Sequence, residues 1–246
     1  RGSICFPFDH ALRSEINNHW FITSLRTGED FTKDQQAMIK DIFMGLHSEE
    51  YAEAVLGQVN HDNRCKDLGD TSIAIFGEPG TGKFQFVLAA RHTTRRCDGD
   101  SVEGAAFGGP IFYGHAAGSF NEKPDHPGNI YWYQAKRANE LYKALDSKQQ
   151  KVALLDKARP EQKTATVKLA GKDGKIEGLP ASELSSDQKD LLKKVMADVL
   201  APFRKEDADE SMKLIEAGGF DKVHISYFSN KSLDVGGDGV WDVSQI

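Results

Sequence analysis

Cysteine is scarce in this sequence. Three occur in 246 residues, Cys5, Cys65 and Cys97, and no two form a C-x-x-C pair. That spacing argues against a zinc ribbon or a thioredoxin-type site and allows one disulfide at most. Excess positive charge is also missing. The 31 Lys and Arg residues stand against 37 Asp and Glu, a formal net charge of −6, with no basic stripe of the kind that neutralises phosphates in a nucleic-acid groove. Nucleic acid is therefore not an expected partner. No apolar run approaches the ~18 residues of a membrane-spanning helix, so no span is expected. Hydrophobic residues at 39%, charged residues at 28% and 8 prolines are ordinary globular values that exclude disorder, collagen and a disulfide scaffold. A chain of this length buries roughly three quarters of its unfolded surface, so its core needs no metal or crosslink. The first residue is Arg1, with no Met and no basic-then-apolar leader; a leader removed, trimmed or never present fits equally.

What is present is a clear alternation of helix and strand signals. Three helix starts share one signature: Thr32 with Gln35, Asp146 with Gln149, and Ser185 with Gln188. The first and last fit the capping box, and Asp146 is an equally good N-cap. Helices are predicted over about 32 to 45, 147 to 157 and 186 to 200, the last with Leu191, Leu192, Val195, Val199 and Leu200 on one stripe and Pro202 as its stop. Further helices are predicted at 48 to 59, 132 to 144 and 208 to 217, the last closed by Gly218 and Gly219. Strands are expected at Thr71 to Phe76, Phe84 to Cys97, Pro110 to Gly114, Thr164 to Leu169, Lys222 to Phe228 and Val240 to Gln245. Most links are too short for crossover helices, which predicts a mainly antiparallel sheet with packed helices, an α+β fold in a single domain over 1 to 246. The glycine-bearing segment Lys168 to Gly178 reads as an exposed loop rather than a domain linker.

Gly77-Glu78-Pro79-Gly80-Thr81-Gly82-Lys83 satisfies the first seven positions of a phosphate-binding loop. The eighth must be Ser or Thr, because its hydroxyl ligates Mg²⁺, and here it is Phe84. Residues 84 to 97 alternate with period two, with Phe84, Phe86, Leu88, Ala90 and His92 on one side and Gln85, Arg91, Thr93 and Arg95 mostly on the other. A helix should begin there in a phosphate loop. Val152 to Asp156, which resembles the acidic strand of such enzymes, falls inside a predicted helix. The expectation is a Pro-Gly hairpin turn and no nucleotide, with an NTPase as the least favoured function.

The turn at Gly77-Glu78-Pro79, the segment Ala90-Arg91-His92-Thr93-Thr94, the run Phe107-Gly108-Gly109-Pro110-Ile111-Phe112-Tyr113-Gly114-His115 and the helix start Leu145 to Gln150 together carry a likeness. They resemble a bacterial domain-of-unknown-function family, number 3500, over about Phe8 to Ile246. The resemblance implies an exported protein of the periplasm or cell surface, and little about chemistry. It also implies a pattern continuing beyond Ile246 into a His-x-His element.

Eight histidines occur, none in an H-E-x-x-H or H-x-H arrangement. His92 and His115 stand out, each near the end of a predicted strand, where an antiparallel sheet could bring both rings into one cleft. An imidazole serves as zinc or copper ligand, or as general base, when a second group fixes its tautomer. Glu78 and Arg91 are the candidate neighbours. The competing reading is a core histidine bonded to a carbonyl. His47, His61 and His126 read as surface or loop residues. Arg91, Arg95 and Arg96 offer an anion site or, alternatively, outer-face partners for acids on a neighbouring strand. Tyr131, Trp132 and Tyr133 read as helix packing or as a pocket mouth, and Asn230 to Gly239 as a hairpin connection without calcium-loop spacing.

Two functions remain open. One is an exported metal-dependent enzyme acting on a small anionic substrate, with His92, His115 and Glu78 as ligands, the two histidines doubling as acid–base groups, zinc or copper as the metal, and Arg91 orienting the anion. The other is a non-catalytic module that binds a small molecule, a metal or a protein.

Overall fold

The computed structural model describes residues 3–99, 107–114, 129–156, 174–229 and 241–245. The chain divides into two compact units.

The first unit contains described residues 3–99, 107–114 and 202–210. Its sheet has five strands in sequence order, β1 (Cys5–Phe6), β2 (Ser72–Glu78), β3 (Lys83–Ala90), β4 (Thr93–Cys97) and β5 (Phe112–Tyr113). Only β1 and β2 run parallel, and the long stretch between them supplies the return path. That stretch holds α1 (Thr27–Asp30), α2 (Lys33–Gly45) and α3 (Ala52–Asp62). A full capping box starts α2, with Thr32 Oγ1 accepting from the Gln35 amide and Gln35 Oε1 accepting from the Thr32 amide. One sheet face packs Ala74, Phe76, Val87 and Ala89 with Ile22, Trp20, Phe6, Phe8 and Leu12. From the other face Arg95 reaches Phe43 of α2.

The expected single strand 84 to 97 is two strands. Ala90 pairs directly with Thr93, and Arg91 and His92 form the turn between them. The turn inverts the alternation. Leu88 faces Arg95 and Ala90 faces Thr93, so Thr93 and Arg95 share a side with the apolar residues they were expected to oppose. A period-two pattern cannot reveal this break, since neither turn residue is Gly, Asn or Pro.

The second unit contains described residues 129–156, 174–201, 211–229 and 241–245. Its elements are α4 (Trp132–Ala144), α5 (Ser147–Ala153), β6 (Leu154–Leu155), β7 (Leu179–Pro180), α6 (Ser186–Leu200), α7 (Lys205–Gly219, belonging here from 211 on), β8 (His224–Ser229) and β9 (Trp241–Gln245). β8 is the hub, parallel to β6 and antiparallel to β7 and β9. Around it Leu141, Ala153, Leu179, Leu192, Val195, Ile225 and Tyr227 form the core. The Tyr227 hydroxyl donates to the Ala138 carbonyl at 2.9 Å, and burial pushes the phenol's pKa up. Tyr133, at the aromatic helix start, donates to the Asp198 carbonyl of α6.

Helices α5 and α6 begin with complete capping boxes at Asp146/Gln149 and Ser185/Gln188. The two Gln side chains also exchange amide hydrogen bonds of 3.0 and 2.9 Å. The helix expected over 147 to 157 ends at Ala153 instead, because Leu154 and Leu155 pair with Tyr227 and Phe228. The Val152 to Asp156 segment is therefore half helix and half short strand. Residues 164 to 169 and 230 to 239, expected as strand and hairpin, lie outside the described residues, as do His115 and His126.

The fold is thus α+β with mainly antiparallel pairing. Among the described residues no helix is long and apolar enough to cross a membrane.

Candidate functional site

The Gly77 to Lys83 segment is the hairpin joining β2 to β3, closed by the Glu78–Lys83 pair. Gly77 has φ +70, and a side chain there would overlap the Lys83 carbonyl oxygen. The loop leads into an antiparallel strand, whereas a phosphate loop opens a helix whose N-terminus receives the anion. Glu78 is exposed at this tip. His92 follows the other end of β3, and eight residues of strand at ~3.3 Å each separate the two by roughly 25 Å. The structure does not bring Glu78 and His92 together.

His92 sits in a strained turn. Its φ is +54, a left-handed conformation that Gly or Asn ordinarily supplies at the second position of such a turn. Three hydrogen bonds hold it. The His92 amide donates to the Asn18 carbonyl at 2.6 Å, the Arg91 amide to Asn63 Oδ1 at 3.0 Å, and Asn63 Nδ2 to the Arg91 carbonyl at 3.2 Å. The imidazole is thereby placed against the C-terminus of α3. Its Nδ1 lies 3.4 Å from Oδ2 of Asp62, with the His92 side chain 20% exposed and the Asp62 side chain 0%. Gln58, one helical turn earlier, donates to the same carboxylate oxygen at 2.7 Å. The group that orients His92 is therefore Asp62. Arg91 contributes its backbone to the turn, and its guanidinium bonds no described residue.

Arg95 and Arg96 are not outer-face residues. They are 1% and 0% exposed, on opposite faces as strand alternation requires. Arg95 Nε donates to His47 Nε2 at 2.9 Å and Arg95 Nη1 to Thr93 Oγ1 and the Phe112 carbonyl. Its guanidinium carbon lies 5.5–5.7 Å from the ring centroids of Phe43, Tyr113 and Phe203. Since arginine Nε can only donate, His47 Nε2 must accept, and the ring proton is on Nδ1, which donates to the Phe43 carbonyl at 2.7 Å. His47, expected at the surface, is 5% exposed. Burial first, and the Arg95 charge second, hold its pKa down at about 3. Arg96 is held by oxygens alone, from the carbonyls of Pro110, Arg13 and Glu15 and from Gln85 Oε1. Burial and the nearby Arg13 charge lower its pKa to about 10.

The family described as protein of unknown function (DUF3500) matches residues 1–235. The chain belongs to this family. No curated protein and no solved structure matches the chain.

In this DUF3500 chain the sequence singled out His92, Arg91, Glu78 and His115. His92 and Arg91 share the turn, Glu78 lies at the far end of β3, and His115 is outside the described residues. Sequence reasoning missed Asp62, Gln58 and His47. One signal was available for the first pair: Gln58 and Asp62 are four apart, so on a helix they meet on one face. Among the described residues, no group of three or more His, Cys, Asp or Glu side chains is placed to hold a metal ion.

Proposed function

We propose that the β3–β4 turn is the working site of this protein, with His92 as its acid–base or metal-ligating side chain and Asp62 as the carboxylate that orients it. The observation that carries this is the 3.4 Å approach of His92 Nδ1 to a wholly buried carboxylate from a residue in a left-handed backbone conformation. Backbone strain persists where the surroundings over-determine it, and such positions cluster at functional sites. A carboxylate at Nδ1 keeps the proton there and leaves Nε2 as the basic, outward nitrogen. That nitrogen can accept a proton from a substrate or coordinate a metal. The enzymatic form of this reading is action on a small anionic substrate oriented by Arg91. Its metal-dependent form adds zinc or copper held by His92 Nε2 with His115. Export to the periplasm or cell surface belongs to the same proposal and is supported by the family likeness.

The test combines metal analysis with the ring's proton position. Purified full chain should carry zinc or copper that both His92→Ala and His115→Ala remove. Nitrogen NMR of His92 should show the Nδ1–H tautomer, shifting in Asp62→Asn. A metal-free protein whose His92 tautomer ignores Asp62→Asn would reduce His92 to a structural histidine. The second reading, a binding module, is favoured over a metal enzyme by the absence of a three-ligand cluster among the described residues; it predicts small-molecule binding without turnover.

A further inference from the structure

We propose that Arg91 and His19 form an anion subsite, which seats the carboxylate or phosphate group of a small molecule beside the His92–Asp62 pair. His19 and Arg91 face each other in an isolated antiparallel bridge. Directly opposed residues in such a pair have Cβ atoms about 4.5–5.5 Å apart and side chains leaving on the same side. The segment before His19 is also fixed to the turn, through the Asn18 carbonyl that accepts from the His92 amide.

Neither donor of this pair is engaged by a described residue. Arg91 is half-buried, and its guanidinium makes no ion pair or hydrogen bond with any described residue. His19 is exposed, its ring edge-on to Phe21 at 6.3 Å, and its ring nitrogens bond no described residue. The carboxylate of the cluster, Asp62, is buried and already accepts from Gln58 and His92. Two donor groups side by side, with the local acid committed elsewhere, favour an external anion. The Asn63 side chain on the Arg91 backbone and the His92 amide on the Asn18 carbonyl fix the backbone at both donors before any ligand arrives, so little backbone ordering is required on binding.

This subsite rests on the reading of His92 as the working side chain for its role, but its test does not depend on that reading. Inorganic phosphate and acetate are titrated separately into the full chain, and the arginine Nε–H and histidine resonances are followed by NMR. At least one anion should saturate. Arg91→Ala should weaken that binding about tenfold or more and His19→Gln several-fold, with Arg91→Lys recovering part of the loss. Arg64→Ala, which removes an exposed arginine one residue beyond Asn63, should change it less than about twofold if the effect is local rather than net charge. Arg91 holds the turn through its backbone, so these variants keep the fold, which thermal unfolding checks. His92→Gln should leave anion binding intact. Anion binding by a parent chain that carries no metal and whose His92 tautomer ignores Asp62→Asn would sink the His92 reading and leave the subsite standing. Neither anion binding, or Arg91→Ala binding as tightly as the parent, would overturn it.

Discussion

The second unit buries Leu141, Leu179, Leu192, Val195, Ile225 and Tyr227, and among its described residues Ser226 is the one buried polar side chain apart from the phenols of Tyr131 and Tyr227. The first unit buries His47, Gln58, Asp62, Asn63, Gln85, Arg95, Arg96 and Asp98 beside its apolar core. A buried polar group without a partner costs more than its hydrogen bond returns, so the first unit's interior is held as a network and the second's by shape and area. A fully satisfied polar network rigidifies an interior and specifies a unique core. The proposed site, the β3–β4 turn, lies in the first unit.

The sharpest way to break the comparison is Arg96→Ala. It strands the carbonyls of Arg13, Glu15 and Pro110 in the interior and should cost about 3–5 kcal/mol in urea unfolding. In the second unit, Leu192→Ala removes a side chain that is 0% exposed and should cost about 3 kcal/mol, with little change between about pH 4 and 7. An Arg96→Ala cost of no more than about 1 kcal/mol, well below that of Leu192→Ala, would erase the distinction.

His47 supplies the pH dependence. Its folded pKa of about 3 lies below the ordinary 6.5, so between these values the unfolded chain binds the extra proton and stability falls as pH drops. The slope should reach up to about 1.4 kcal/mol per pH unit, measured as the difference between the parent and His47→Gln across that window. An unchanged slope in His47→Gln would refute the neutral buried imidazole. The smallest effect concerns the strained turn. His92→Gly should be more stable than His92→Ala by about 1 kcal/mol, because glycine accepts φ +54 without the left-handed penalty. Equal stabilities would show that the turn relaxes once the imidazole is gone.

Much of the fold could be read from local pattern. Thr32/Gln35 and Ser185/Gln188 marked helix starts that became complete capping boxes, and Gly77 to Lys83 read correctly as a hairpin through Phe84 and the alternation after it. The site was half legible. His92 and Arg91 were singled out, but as strand residues with Glu78 nearby, because the Arg91–His92 turn carries no turn-forming residue type.

Local order was determined by the sequence itself, since a cap or a hairpin is satisfied by groups a few residues away and each choice is visible in one short window. Which polar groups go inside was decided only in the tertiary structure. His92 meets Asp62 from 30 residues away, Arg95 meets His47 from 48, and Gln149 meets Gln188 across 39. An arginine or histidine is affordable in a core only when such distant partners arrive together. No window of sequence contains both halves of the bond.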